Sequence, residues 1–231
     1  MGVDLRHGGN RQALAGVLGC RPTQLLDASA SLAPWSPRCP RLPETSLRDY
    51  PDREQVSLRQ AIAAIHGLPL DWVLPGNGAA ELFTWAARDA AAAGLSGLLA
   101  PGFADYRRAL QCWEAAWVET PLALPWDHAG PLHHPPLEGS VAWICNPHNP
   151  TGQLWSRASL EAMLDRHALV ICDEAFLPLV PEAEHQSMIG LMAQHSNLVI
   201  IRSLTKLFGV CLLYTSPSPR DATLSRMPSS A

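Results

Sequence analysis

Three apolar runs of the chain each end on a side chain that is able to do chemistry. They are residues 141–145 before a segment with Asn146 and Asn149, residues 168–172 before Asp173, and residues 197–201 before Ser203 and Lys206. In open α/β sheets, ligands bind beyond the carboxyl ends of the strands. If the three runs are strands of one sheet, their ends present an amide, a carboxylate and an amine to one crevice.

These three groups suit an aldehyde cofactor that has a ring nitrogen and a phenolic oxygen. Lys206 would form a Schiff base with the aldehyde, Asp173 would keep the ring nitrogen protonated, and an asparagine would hydrogen-bond the phenolate. A buried carboxylate needs a cationic partner, so a structural salt bridge is the alternative for Asp173. For Lys206 the alternative is a surface lysine, and the order of the three strand ends favours the functional interpretation.

Two other patterns bear on the chemistry. Ser-x-x-Lys also occurs in serine β-lactamases, but the S-D-N and K-T-G tripeptides of those enzymes are absent from the chain. Small residues at positions 76–80 indicate a turn from a strand into a helix. Free backbone N–H groups and the helix dipole at such a turn form a seat for phosphate, although the same turn also occurs without a ligand.

The elements that must position these groups follow from apolar periodicity. We predict helices over residues 11–18, 54–66, 78–93 and 103–113 and one that begins after Ser156, with strands over residues 70–74, 97–100, 116–120, 141–145, 169–172 and 198–201. The last strands are continuous apolar runs, which is typical of strands covered on both faces. The expected fold class is α/β, a three-layer and mostly parallel sheet.

The chain divides into three predicted segments. Residues 1–50 form an N-terminal arm and a Pro-rich loop segment, and residues 51–210 form the large domain. Residues 211–231 have no periodicity and end in a Ser/Pro-rich stretch. We expect this last segment to be disordered and foreign to the domain, as a cloning adaptor or a frame change would make it.

Composition excludes several classes of partner. The 231 residues have a formal net charge of -4 and no basic block, which argues against nucleic acid and anionic membranes. The start is unlike a signal peptide and no apolar run approaches the length of a membrane span, so we expect a cytoplasmic protein. The six cysteines have no metal-ligand spacing, and His133 and His134 lack a third ligand nearby, so no metal is expected.

A resemblance to a known family adds to this interpretation. The segments 149–152 (Asn-Pro-Thr-Gly), 173–176 (Asp-Glu-Ala-Phe) and 203–206 (Ser-Leu-Thr-Lys) together resemble fold-type I pyridoxal-phosphate enzymes. The chain is most similar to the branch of histidinol-phosphate aminotransferases and threonine-phosphate decarboxylases. Residues 7–10 and 101–110 resemble the decarboxylases of cobalamin synthesis, and Phe176 stands where aminotransferases of the branch usually have tyrosine.

The resemblance implies pyridoxal 5′-phosphate as cofactor and a role for each matching residue. It implies Lys206 as the Schiff-base residue, Asp173 on the pyridine nitrogen, Asn149 on the phenolic oxygen, Tyr106 stacked on the ring, and Gly78, Ala79, Ala80 and Ser203 around the phosphate. Tyr50 would reach the cofactor phosphate of a neighbouring subunit, which implies a homodimer. His7 would lie near a small phosphorylated amino-acid substrate.

The implied activity is decarboxylation of L-threonine O-3-phosphate to (R)-1-aminopropan-2-ol O-phosphate. The alternatives are an aminotransferase, such as one acting on histidinol phosphate, and an inactive truncated fragment. Residues 31–34 read Ser-Leu-Ala-Pro where the family has Ser-x-Asn-Pro, so an asparagine near the substrate is lost. From Cys211 the chain departs from the family pattern, so we expect the C-terminal small domain and its two ligand-binding arginines to be missing.

Overall fold

A computed structural model describes residues 9–29, 50, 52–123 and 130–208 of the chain. The helices are α1 (Arg11–Leu18), α2 (Val56–His66), α3 (Gly78–Ala93), α4 (Ala104–Cys112), α5 (Arg157–Leu164) and α6 (Leu204–Phe208). The strands are β1 (Ser96–Ala100), β2 (Trp117–Pro121), β3 (Val141–Cys145), β4 (Leu169–Asp173) and β5 (Leu198–Ile201). Short 3-10 turns cover Pro22–Gln24, Leu70–Trp72, Leu177–Leu179, Ala183–Gln186 and Ile189–Leu191.

The described strands form one parallel sheet in the order β2-β1-β3-β4-β5. Its register aligns the ends of β3, β4 and β5, because Cys145 pairs with Asp173 and Asp173 pairs with Ile201. The predicted parallel α/β sheet is therefore confirmed. The carboxyl ends of β3, β4 and β5 meet at one edge, as the sequence predicts.

Two apolar layers cover the sheet. On one face, α3 and α4 pack through residues such as Phe83 and Leu110 against Val141 and Ile171. On the other face, α5 and the segment after β4 pack through Leu160 and Met188 among others. Both layers take alternate residues of the same strands, which explains why these strands read as unbroken apolar runs. The result is the predicted three-layer architecture.

Local signals at the helix ends agree with the sequence. The side chain of Asn10 accepts a hydrogen bond from the backbone N–H of Ala13 at 3.1 Å, and the predicted cap Ser156 accepts from Ser159 at the start of α5. Gly67 ends α2 with a φ of 65°, a backbone conformation that glycine adopts without strain. These caps fix where α1, α2 and α5 begin or end.

One predicted strand is wrong. Residues 70–74 contain the 3-10 turn Leu70–Trp72 followed by extended backbone, and this segment pairs with no described strand. The cause is the guanidinium of Arg59 on α2, which donates to the carbonyl oxygens of Leu70 at 3.0 Å and Val73 at 3.1 Å. These carbonyls are satisfied by a side chain, so the segment needs no sheet partner.

Several predictions fall outside the part of the chain that the structure describes. They concern most of the predicted arm at residues 1–8 and 30–49, and the whole of the predicted tail at 211–231. Among the described residues, no helix is long and apolar enough to cross a bilayer.

Candidate active site

Asp173, the last residue of β4, is the centre of the candidate site. It is buried, and its two oxygens accept hydrogen bonds from the Tyr106 hydroxyl at 2.6 Å and from the backbone N–H of Ala175 at 3.0 Å. Burial raises the pKa of Asp173 to about 6, although these two hydrogen bonds and the charge of Lys206 act in the opposite direction. Asp173 is therefore mainly ionised at neutral pH.

Asp173 has no ion-pair partner among the described residues, whose salt bridges all involve other carboxylates. A buried carboxylate that stays charged is normally paired with a cation. The alternative of a structural salt bridge at Asp173 therefore does not hold within the described part of the chain. The site instead suits a cationic ligand group, such as a protonated ring nitrogen.

Lys206 lies on α6, which follows β5 at the same edge of the sheet. Burial lowers the pKa of Lys206, and the negative charge of Asp173 partly opposes this effect. The Lys206 ammonium also lies 4.9 Å from the centre of the Phe176 ring. The Asp173 carboxylate and the Lys206 amine thus lie close enough for each to shift the pKa of the other.

Asn149 lies next to this pair, through Cys145 at the end of β3. The Cys145 thiol donates to the Pro147 carbonyl at 3.2 Å and lies 4.0 Å from the Asp173 carboxylate. Burial raises the pKa of this thiol, while the backbone N–H of Asn149 acts in the opposite direction. The other asparagine of this loop, Asn146, is buried and bonds the backbone N–H of Trp155 at 2.8 Å and its carbonyl at 3.3 Å. Asn146 is thus committed to the fold, which leaves the amide of Asn149 for a ligand.

Tyr106 is held in an aromatic cluster beside Asp173. Its ring lies 5.2 Å from the ring of Trp143 and meets the ring of Phe83 edge-on at 5.1 Å. Burial and the neighbouring Asp173 charge raise the pKa of the Tyr106 hydroxyl, so it remains a hydrogen-bond donor. The expectation that this ring stacks on a cofactor stays a prediction.

The N-terminus of α3 has the features of an anion seat. Its cap residue, Asn77, makes no side-chain capping bond, so backbone N–H groups of the first turn are not taken by a cap. Gly78 begins the helix with a φ of 76°, where another residue would be strained. The Glu81 carboxylate accepts from the backbone N–H of Asn77, which places one negative group at the rim of this seat.

A cavity of about 180 Å³ joins this helix end to the end of β5. Gly78, Ala79 and Ser203 line it together, while Ala80, the next residue of α3, does not. The Ser203 oxygen accepts from the backbone N–H of Thr205 at 3.2 Å, which leaves the hydroxyl proton for a ligand. Three of the four residues expected around a phosphate thus meet at one opening.

Two predicted residues, Tyr50 and His7, are not brought to the site by the described structure. Tyr50 is fully exposed, and His7 lies outside the described residues. The proposed roles of Tyr50 towards a second subunit and of His7 towards a substrate stay predictions.

Sequence reasoning missed three features. Cys145 lies between the asparagine loop and Asp173, and Glu174 forms a buried ion pair with Arg202 beside the site. The sequence offered one signal for this ion pair, since Glu174 and Arg202 each directly follow a buried strand. Lys206 is also the only lysine of the chain, since the other members of its 17 Lys and Arg residues are all arginine.

Comparison with known proteins places the chain in a family. The family model described as aminotransferase class I and II matches residues 28–211, which is most of the chain. The chain belongs to this family. It is 35% identical to the threonine-phosphate decarboxylase of Salmonella typhimurium over 96% of the chain and 64% of that relative. It is 32% identical to the histidinol-phosphate aminotransferase of Anoxybacillus flavithermus over 71% of the chain and 46% of that relative.

A solved structure in this family agrees on the fold. The histidinol-phosphate aminotransferase of Sinorhizobium meliloti, solved in complex with pyridoxal-5′-phosphate, superposes with a TM-score of 0.60 at 19% identity, over 74% of the chain and 48% of that structure. The chain thus spans roughly half to two thirds of the length of these relatives. The cofactor expected from the sequence, pyridoxal 5′-phosphate, is the cofactor of the aminotransferase class I and II family.

Proposed function

We propose that the chain is the cofactor-binding part of a pyridoxal-phosphate-dependent threonine-phosphate decarboxylase of cobalamin synthesis. The observation on which this proposal depends is the buried Asp173, which has no ion-pair partner among the described residues and lies close enough to Lys206 for each to shift the pKa of the other. Acid and amine in this relation fit a ligand with a basic ring nitrogen and an aldehyde. Residues 51–210 are proposed as the binding domain.

The described residues fit pyridoxal phosphate group by group. Lys206 would hold its aldehyde carbon covalently, Asp173 its ring nitrogen and Asn149 its phenolic oxygen. Gly78, Ala79 and Ser203 would hold its phosphate at the cavity that they share, with Ala80 in the next position of the helix turn. When bound, the cofactor supplies an electron sink for the bond that breaks at the substrate α-carbon.

The protein side of the mechanism depends on where protons are held. Asp173 is mainly ionised at neutral pH because its pKa of about 6 lies below that pH, so it stabilises a proton on a ring nitrogen beside it. The lowered pKa of Lys206 increases the fraction of neutral amine, which is the form that attacks a carbonyl and that takes a proton. The Tyr106 hydroxyl keeps Asp173 oriented through its hydrogen bond.

The choice of substrate is supported by the relatives. Identity to the Salmonella typhimurium decarboxylase is 35% over 96% of the chain, against 32% over 71% for the Anoxybacillus flavithermus aminotransferase. In the proposed reaction, L-threonine O-3-phosphate loses its carboxylate as CO2, and the α-carbon gains a proton to give (R)-1-aminopropan-2-ol O-phosphate.

We further propose a cytoplasmic homodimer in which Tyr50 contacts the partner's cofactor and His7 lies near the substrate.

The second candidate is an aminotransferase that acts on histidinol phosphate. It is supported by the 32% identity to the Anoxybacillus flavithermus enzyme. In that case a C–H bond rather than the C–CO2 bond would break at the α-carbon, and Lys206 would carry the released proton. A keto acid would then be required as the second substrate.

Incubation with each substrate separates the two activities. The chain loaded with pyridoxal phosphate is supplied with L-threonine O-3-phosphate alone, and CO2 is measured; it is then supplied with histidinol phosphate with and without 2-oxoglutarate. Release of CO2 without a keto acid, absent in Lys206→Ala, is the expected result. Keto-acid-dependent formation of glutamate would replace the decarboxylase by the aminotransferase, and loss of neither substrate would favour the third alternative, an inactive truncated fragment.

A further inference from the structure

A buried ion pair lies directly beside the residues that we assign to the cofactor. Glu174 follows Asp173 and is completely buried, and Arg202 follows the last residue of β5 and precedes Ser203. The Arg202 guanidinium donates to one Glu174 oxygen from Nη2 at 2.7 Å and from Nε at 3.0 Å. Side chains thus join the ends of β4 and β5.

This ion pair lies directly beyond the last backbone hydrogen bond between β4 and β5. Asp173 pairs with Ile201 in the sheet, and the backbone N–H of Glu174 still donates to the Ile201 carbonyl at 2.8 Å. Beyond this point one chain enters the segment after β4 and the other enters α6. The ion pair connects Glu174, directly after the strand that ends on Asp173, to Arg202, directly before the turn that leads to Lys206. Further along, the Lys206 ammonium contacts the Phe176 ring.

Both members of the pair are further fixed by their neighbours. Glu174 also accepts from the Ser187 hydroxyl and from the backbone N–H of Met188, each at 2.8 Å. The Arg202 guanidinium also donates to the exposed carboxylate of Glu184 at 3.0 and 3.1 Å. A pair with this many partners has one geometry, in contrast to a mobile surface pair.

Stability alone is a weak reason for a buried ion pair, because a well-packed apolar replacement is often as stable. Asp173 and Glu174 point to opposite sides of the sheet, as adjacent residues of an extended chain do: Asp173 contacts Tyr106, and Glu174 contacts Ser187. Glu174 thus lies behind Asp173, while Arg202 also lines the cavity shared by Gly78, Ala79 and Ser203.

We infer that Glu174 and Arg202 are positioning residues whose ion pair fixes the spacing between Asp173 and Lys206. The inference depends on the proposed function for its purpose, since that spacing matters only for a ligand held by both groups. Arg202 stands two residues before the start of α6, so anchoring its side chain fixes where the helix with Lys206 begins. Glu174 anchors Asp173 in the same way on β4.

The test measures, in the absence of cofactor, how far the charge of Asp173 shifts the pH at which Lys206 is half deprotonated. Lys206 is the only lysine, so its reductive methylation by formaldehyde and borohydride is read from the mass of the fragment that contains it. The pH midpoint of this reaction is measured with and without Asp173→Asn. The same two measurements, with and without Asp173→Asn, are repeated in the double variant Glu174→Met/Arg202→Met. They are also repeated in a matched control, Arg107→Met/Glu119→Met, which removes a surface ion pair with an N–O distance of 3.0 Å.

In the unchanged background and in the control, Asp173→Asn is expected to lower the midpoint of Lys206 by about one pH unit, because a negative charge is removed. In Glu174→Met/Arg202→Met the same change is expected to have less than half of this effect. An equal shift in all backgrounds overturns the inference, and so does the absence of any shift in the unchanged background.

Two further measurements separate this inference from the proposed function. Glu174→Gln keeps the size of the side chain and removes its charge. If circular dichroism shows that the double variant does not fold, the measurements with and without Asp173→Asn are made in Glu174→Gln instead. Affinity for pyridoxal phosphate is measured in Glu174→Gln, because Arg202 lines the proposed phosphate cavity and its replacement would change that cavity directly. The affinity is expected to fall about tenfold in Glu174→Gln and to be unchanged in the control. A chain that shows the coupling but binds no pyridoxal phosphate contradicts the proposed function and leaves the positioning role standing.

Discussion

Asp173 stays charged at neutral pH although it is buried, because three groups offset part of the cost of burial. The Tyr106 hydroxyl and the Ala175 N–H donate to its oxygens, and the Lys206 ammonium acts on it through space. Burial still dominates, since the pKa rises to about 6. Two of these groups, the Tyr106 hydroxyl and the Lys206 ammonium, belong to side chains, so one substitution at either residue can change the charge of Asp173.

Replacing Tyr106 by phenylalanine removes the hydroxyl that stabilises the charged form of Asp173. We expect the pKa of Asp173 to rise above its value of about 6, as measured by carbon NMR titration of labelled aspartate. The free energy of unfolding in urea should fall by about 1–3 kcal/mol, the usual effect of losing a hydrogen bond to a charged group. Tyr50→Phe is the control, because Tyr50 is fully exposed; an equal loss there would contradict the assignment.

His134 makes a second prediction possible at this scale. It is buried against Trp155 at 4.9 Å between ring centres, and its Nε2 has no hydrogen-bond partner in the described part of the chain. Burial lowers the pKa of His134 from 6.5 to about 4, and the nearby histidines 133, 148 and 167 act in the same direction. The folded state therefore keeps this ring neutral where the unfolded chain protonates it.

The stability contributed by neutral His134 is complete above pH 6.5 and is lost as the pH falls from 6.5 towards 4. We expect the free energy of unfolding to decrease over this range, and to decrease less in His134→Leu. The difference between the two proteins isolates His134 from Asp173, whose raised pKa acts in the opposite sense between pH 3.8 and about 6. Parallel curves for both proteins would contradict the buried neutral state.

At the scale of elements, the site depends on where helices and strands end. The ends of β3, β4 and β5 were predictable because strands covered on both faces are continuous apolar runs that stop at the first polar residue. The conformation of segment 70–74 was not predictable from the sequence, because the Arg59 side chain takes the place of a sheet partner there. The ion pair of Glu174 and Arg202 was not predictable either, since its prediction requires knowing that β4 and β5 are neighbours.

The start of α3 gives a test of its backbone geometry. Gly78 has a φ of 76°, so we expect Gly78→Ala to destabilise the fold by about 1–2 kcal/mol in urea unfolding. Gly16 lies inside α1 with open space around it, so Gly16→Ala should stabilise by about 0.5–1 kcal/mol. A neutral or stabilising Gly78→Ala would show that the left-handed turn at the anion seat does not form.

At the scale of the molecule, the proposed cofactor contacts join α3, β3, β4 and α6, which extend from residue 78 to residue 208. A ligand held by such distant segments stabilises the whole fold by binding only its folded form. The cooperative unit therefore includes both faces of the sheet, although the chain spans only 64% of its decarboxylase relative.

Pyridoxal phosphate at about a hundred times its dissociation constant should add about 2.7 kcal/mol of stability. For a chain of this size this corresponds to a rise in melting temperature of about 5–10 °C, as measured by calorimetry. Lys206→Ala should lose most of this rise. An equal rise in Lys206→Ala would mean that the stabilising ligand binds elsewhere.

The central claim is that Asp173 and Lys206 bind opposite ends of one cofactor, and borohydride fixation tests it most directly. Because Lys206 is the only lysine, a covalent pyridoxal phosphate adduct on its fragment is unambiguous, and its yield against cofactor concentration gives an affinity. We predict that Asp173→Asn weakens this affinity by about tenfold or more, the effect of losing a charge-assisted hydrogen bond, while the exposed control Asp89→Asn leaves it unchanged. Equal affinities in the two variants, or an adduct that forms without Lys206, would contradict the account.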